Sequence, residues 1–189
     1  MIELVYPTEP ARVEKGGKGA HPAEMLPIVE PDGEVTAQAS RAYCHGPRKP
    51  LHPVVHLEII NRSGAIYLQK RSAEKKLFPN RWDTAVGGHV SYGEYVHEAL
   101  YRESWEELGF RDFNPKFLDN YISETDTERE LVSLFAAVGD FELHPDHDEV
   151  TDGRWWSIRE IEANIGKGIF TPLFEKEYIR YKDALLALL

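Results

Sequence analysis

"GGHVSYGEYVHEALYRESWEELGF", residues 87–110, holds the pattern on which the fold turns. Its second half has helical spacing over residues 95–108: Val96, Ala99, Leu100 and Leu108 fall on an inward side, and Gly109 supplies a stop. Yet Glu103, Glu106 and Glu107 place like charges on neighbouring positions of one face, where i,i+3 and i,i+4 repulsion destabilises a helix. Two explanations account for the acids. They form a solvated acidic face, or they are donors for a hard divalent cation such as Mg²⁺ or Mn²⁺, which prefers clustered carboxylate oxygens shared with substrate phosphates.

Strand signals flank this helix. "HPVVHLEIINRSGAIYLQKRS" (52–72) reads as a strand from Val54 to Ile60, a turn over Asn61–Gly64 and a second strand in which Ile66 and Leu68 alternate with polar residues. Upstream, "LPIVEPDGEVT" gives two short apolar stretches around a Pro-Asp-Gly turn. Downstream, strands are expected around 115–123, around 130–138 and in "EVTDGRWWSI", where Trp155 and Trp156 point to opposite faces and one belongs to the core. Ser157 with Glu160 makes a capping box. Thr171 and Pro172 open a last helix with Phe174, Tyr178, Tyr181, Leu185 and Leu188 along one side. Residues 1–24, rich in Pro, Gly and charge, read as an arm or outer layer, and residues 25–189 as one domain ending in that helix. The class is α+β, with mainly antiparallel strands.

At 189 residues and 42% hydrophobic, the chain suits one packed domain and is short for two. It has no apolar run of membrane-spanning length, and "MIELVYPTEP" lacks the basic and apolar regions of a signal peptide. Cys44 stands alone, so no internal disulfide forms and a cytoplasmic location is expected. A net charge of −10 argues against a nucleic acid polymer as partner. It does not oppose a small phosphate substrate, because a bound cation reverses the local sign. The arm and the apolar last helix would suit a homodimer.

Gly88, Glu94, Arg102-Glu103, Glu106-Glu107, Gly109 and apolar Phe110 follow the spacing G-x5-E-x7-R-E-U-x-E-E-x-G-U, which resembles the box of the Nudix hydrolase superfamily. Seven fixed positions at roughly 5–7% usage each align by chance with odds on the order of 10⁻⁸ per starting point. One position departs: Ser104 stands where the box has a bulky apolar residue. The resemblance implies a Nudix fold, a mixed and largely antiparallel sheet sandwiched by helices, with a loop–helix–loop metal site. Glu103, Glu106 and Glu107 would be metal ligands for Mg²⁺ or Mn²⁺ and catalytic residues. Arg102 would orient a carboxylate of the box, and Gly88 and Gly109 would allow tight backbone at its ends. The implied reaction is attack of water on one phosphorus of a nucleoside diphosphate derivative or related organic diphosphate, with the cation stabilising charge on the leaving phosphate.

Residues 25–175 also look like the isopentenyl-diphosphate isomerase branch of that superfamily, whose second metal site uses three His and two Glu. His45, His52, His89, Glu128 and Glu130 stand at the matching positions, and such a mixed set favours Mn²⁺ or Zn²⁺. The isomerase chemistry itself does not carry over. The catalytic Cys of that branch corresponds to Gly87, the aromatic facing the carbocation to Leu173, and a phosphate-binding Arg to Glu103. The expectation is therefore an isomerase-like scaffold running hydrolase chemistry, with isomerase-like activity or a non-catalytic nucleotide-binding module as alternatives.

"QKRSAEKKLFPNRW" concentrates basic residues, and in both branches the positions of Arg71 and Lys75 lie near the diphosphate, which makes them the expected substrate-binding pair. Trp82 and Tyr92 flank the Gly-Gly-His segment, read as a turn, and would either stack on a base or serve packing. Glu149 is a further candidate ligand or base.

Overall fold

The computed structural model describes residues 1–8, 11–12, 25–75, 77–146 and 150–189, with only the backbone at 11–12. Most of the expected arm lies outside these residues, as do Lys76 and the candidate Glu149. In chain order the strands are β1 (Ala11–Arg12), β2 (Met25–Val29), β3 (Val35–Ser40), β4 (His52–Ile60), β5 (Ile66–Arg71), β6 (Trp82–Asp83), β7 (Val86–His89), β8 (Lys116–Glu124), β9 (Arg129–Val138) and β10 (Val150–Trp156). The helices are α1 (Arg41–Cys44), α2 (Val96–Leu108), α3 (Ile158–Asn164) and α4 (Pro172–Leu186). Three strands pair as β1-β3-β2; a seven-stranded sheet runs β10-β5-β4-β9-β8, with β6 on β5 and β7 on β4. The β2–β3, β4–β5, β5–β6 and β5–β10 pairs are antiparallel and β1–β3 is parallel, an α+β arrangement as expected. Every residue of β4 is buried, so this strand is covered on both faces. The expected alternation in β5 is absent: Tyr67 and Gln69 are buried together with Ile66 and Leu68.

The chain divides into two compact units. Met1–Val55, Gly88–Leu100 and Asp119–Leu134 make the first. There Leu4 is buried, the Val5 N–H donates to the Gly33 carbonyl, and the Val35 N–H donates to the Val5 carbonyl. The Pro-Asp-Gly turn closes with Gly33 at φ +95°, and a methyl group at that position would lie 2.6 Å from the Glu3 carbonyl oxygen. Gly33→Ala is therefore expected to destabilise the protein by about 2 kcal/mol, combining the left-handed backbone penalty with displacement of residues 1–8. Urea denaturation checks this; an unchanged midpoint would mean that the segment is not held there.

His56–Gly87, Tyr101–Leu118 and Phe135–Leu189 make the second unit. Its core joins Ile60, Ile66 and Leu68 to Trp156, Ile161, Phe170, Phe174, Tyr178 and Leu185, while Trp155 stays half-exposed. Ser157 and Glu160 form the capping box of α3, and the Thr171 side chain caps α4 behind Pro172. Among the described residues, no helix is long and apolar enough to cross a membrane.

Candidate active site

Helix α2 has all four expected inward residues buried, and Ser104 joins them at 0% exposure, so a small hydroxyl fills the position where the box carries a bulky apolar residue. The helix ends as Gly109 requires. Its φ is +64°, its N–H donates to the Trp105 carbonyl, and the Phe110 N–H donates to the Ser104 carbonyl. Gly88 instead lies within β7, so the Gly-Gly-His segment is a strand rather than a turn.

In the second unit the acids of this helix have different partners. Arg102 Nη1 donates to Glu103 Oε1 at 2.7 Å and to Glu106 Oε2 at 3.1 Å, which offsets the repulsion between them. Glu106 is 57% exposed and the Glu103 side chain 14%. Glu107 is 8% exposed. Its Oε2 accepts from the Gly87 N–H at 3.2 Å and from Gln69 Nε2 at 3.1 Å. A buried carboxylate fixed by two donors is a preorganised anionic group, while Glu103 and Glu106 sit nearer solvent.

Arg71, expected to meet substrate, donates through Nη1 to Asp83 Oδ2 at 3.1 Å and through Nε to the Leu77 carbonyl. Asp83 Oδ1 in turn accepts from the Thr171 hydroxyl at 2.7 Å. Lys75 is half-buried in the loop that follows, its N–H donating to the Ser72 carbonyl. Trp82 packs edge-on against Trp156 and lies under the Arg154 guanidinium. In the first unit Tyr92 meets Tyr6 edge-on, so each of the two aromatics has a packing partner.

The histidine set is assembled in the first unit. One donor atom from each of His45, His52 and His89 lies within 4.8 Å of the other two. His45 Nε2 and His89 Nε2 are 3.0 Å apart, and His45 Nδ1 is 3.2 Å from Glu128 Oε1. His52 is fully buried, and burial pushes its pKa down, so it stays neutral. With Nδ1 donating to the Pro50 carbonyl, its lone pair is on Nε2, a buried nitrogen with no hydrogen-bond partner. A neutral imidazole oriented from behind, whose other nitrogen lacks a partner, suits a metal ligand. Glu130 is buried in β9; it and Glu128 lie outside the group of three donors that meet within 4.8 Å.

Several polar groups of the second unit escaped the reading of the sequence: Gln69, His56, Glu58, Asp83 and Glu177 are all buried. A signal existed for two. His56 and Glu58 interrupt the apolar run "VVHLEII", and ionisable residues inside such a run are seldom buried without a role.

Comparison with known proteins adds an independent line. A Mycolicibacterium vanbaalenii protein named isopentenyl-diphosphate Delta-isomerase is 28% identical over 175 residues, covering 85% of this chain and 97% of its own. An uncharacterised Nudix hydrolase of Streptomyces coelicolor is 30% identical over 166 residues, covering 84% and 88%. The crystal structure of DR0079 from Deinococcus radiodurans superposes with a TM-score of 0.72 at 26% identity, over 83% of this chain and 98% of that one. The NUDIX domain profile matches residues 50–174, which span β4 through the start of α4 and include the whole of α2. This chain belongs to the Nudix domain family.

Proposed function

We propose that the protein is a divalent-cation-dependent hydrolase, cytoplasmic, that cleaves a diphosphate linkage in a nucleoside diphosphate derivative or related small organic diphosphate. The observation that carries the reading is Glu107, a buried carboxylate held by the Gly87 N–H and Gln69 on the helix that bears the box. Glu103, Glu106 and Glu107 would hold Mg²⁺ or Mn²⁺, which when bound screens phosphate charge and stabilises the leaving group. Arg102 holds the Glu103 and Glu106 carboxylates in position until then. Arg71 and Lys75 supply positive potential toward the diphosphate, with Arg71 braced by Asp83.

Gly87 offers no thiol for allylic proton transfer, and half-buried Leu173 offers no aromatic face to a carbocation, which weighs against isomerisation. The test is a panel of nucleoside diphosphate sugars, dinucleoside polyphosphates, nucleoside triphosphates and isopentenyl diphosphate, assayed with Mg²⁺, with Mn²⁺ and with EDTA. Cation-dependent release of phosphate or nucleotide is expected. Conversion of isopentenyl diphosphate to its allylic isomer, with no hydrolysis anywhere, would reverse the reading.

The histidine set, with Glu128 and Glu130, would hold Mn²⁺ or Zn²⁺. Elemental analysis of purified protein is expected to find about one transition metal per chain, and His52→Ala to lower the affinity by at least the 10–100-fold typical of outer-shell changes. Equal metal content in both proteins would remove this site.

A further inference from the structure

Beneath Gly87 the second unit holds a polar cluster that the reading above leaves unused. His56 on β4 is buried, and its Nδ1 is 2.7 Å from Oε1 of Glu177, a buried residue of α4. A carboxylate can only accept, so Nδ1 carries the proton and the lone pair falls on Nε2. That edge of the ring lies along the side-chain direction of residue 87: a methyl group on Gly87 would stand 3.5 Å from His56 Cδ2 and 3.6 Å from Nε2. The same Gly87 gives its N–H to Glu107. Position 87 thus touches the anchored carboxylate through its amide and an oriented imidazole through the space its missing side chain leaves.

We propose that His56, oriented by Glu177, is the proton acceptor of the hydrolysis, acting through Nε2 at the side of Gly87. This rests on the hydrolase reading. As the water oxygen bonds to phosphorus, one of its protons passes to Nε2. The bridging P–O bond breaks and leaves its electron pair on the departing phosphate. The imidazolium returns its proton to that oxygen or to solvent, and Glu177 stabilises the charged ring in between.

The neighbours support this assignment. Glu58 on β4, Asp83 on β6 and Thr84 just after it are the polar neighbours of the His56–Glu177 pair. Asp83 is occupied by Arg71 and Thr171. Burial, then the Glu177 charge, raises the Glu58 pKa to about 8, so at neutral pH Glu58 is protonated and adds no charge of its own beside His56.

A strap that merely ties α4 to β4 would show the same hydrogen bond, so the test needs readouts that a strap would not move. In ¹⁵N-labelled wild-type protein, the His56 Nε2 resonance is expected to report the neutral Nδ1–H tautomer. It should shift when Mg²⁺ and methylenediphosphonate, a non-hydrolysable diphosphate, are added. On a compound that the wild type cleaves, His56→Gln is expected to lower kcat by about 10²–10⁴-fold with KM retained, and to abolish the acid limb of the pH–rate profile. An Nε2-protonated tautomer, an unmoved resonance, or a His56→Gln protein with wild-type kcat and pH profile would overturn the assignment. Absence of wild-type turnover across the panel defeats the hydrolase reading instead. The resonance decides the imidazole's role without any turnover, so an ill-folded variant cannot obscure it.

Discussion

Glu107→Gln is expected to reduce turnover by about 10²–10³-fold, the range seen when one preorganised electrostatic contact to developing charge is removed. The substitution isolates charge from shape. Oε2 of Glu107 accepts from Gly87 and Gln69, and an amide oxygen can accept from both, so the anchoring of α2 to β5 and β7 survives. Only the negative charge is lost. Glu103 lies one helical turn away, and removing a like charge at i,i+4 relieves repulsion. In EDTA the variant should therefore melt at the wild-type temperature or slightly above it. The contrast appears with Mn²⁺: binding to the folded state raises the wild-type melting temperature, and the variant should gain less. Thermal scans with and without Mn²⁺, paired with kinetics, check both halves. Wild-type activity in Glu107→Gln would show that the cation, if used, is held elsewhere.

The boundaries of α2 and the hairpins were legible because each rests on local rules. Gly109 ends α2 with positive φ, Gly33 turns the first hairpin, and the Ser157–Glu160 and Thr171–Pro172 pairs cap their helices within a few residues. The three-histidine group was legible only through the resemblance. His45, His52 and His89 are brought together by the end of α1, the start of β4 and the end of β7, and no local pattern encodes that meeting. The short strands β6 and β7 were missed because two to four residues carry no measurable period, and "AVGGH" reads as a turn from its glycines. The partners of Arg71 escaped for the reverse reason. An arginine in a basic loop reads as solvated, and its ion pair with Asp83 is made by the β5–β6 pairing, twelve residues away in sequence. Gln69 and Glu177 were hidden by their own polarity. In a strand or helix read by hydrophobic period they count as outward positions, whereas both are buried and hydrogen-bonded to an ionisable partner.

Glu58 yields the largest effect expected on stability, and its sign follows from the proton balance. In the unfolded chain a glutamate titrates near 4.5; in the folded protein burial and the Glu177 charge move Glu58 to about 8. Below pH 4.5 both states hold the proton and Glu58 imposes no pH dependence. Between 4.5 and about 8 the unfolded chain has released the proton while the folded one retains it, so stability falls as pH rises through that window. At about 1.4 kcal/mol per unit of separation, the loss amounts to several kcal/mol by the upper end. Glutamine keeps the shape of the neutral acid and cannot ionise. Glu58→Gln is thus expected to match the wild type in urea midpoint near pH 4 and to exceed it progressively toward pH 8. The difference between the two proteins cancels the titrations they share. A constant difference across the range would mean that Glu58 ionises normally in the folded state, with His56 and the Thr84 hydroxyl supplying enough stabilisation to outweigh its burial. In that case an ionised Glu58 would place its own negative charge beside His56, and Glu58→Gln would shift the acid limb of the pH–rate profile as well as the stability.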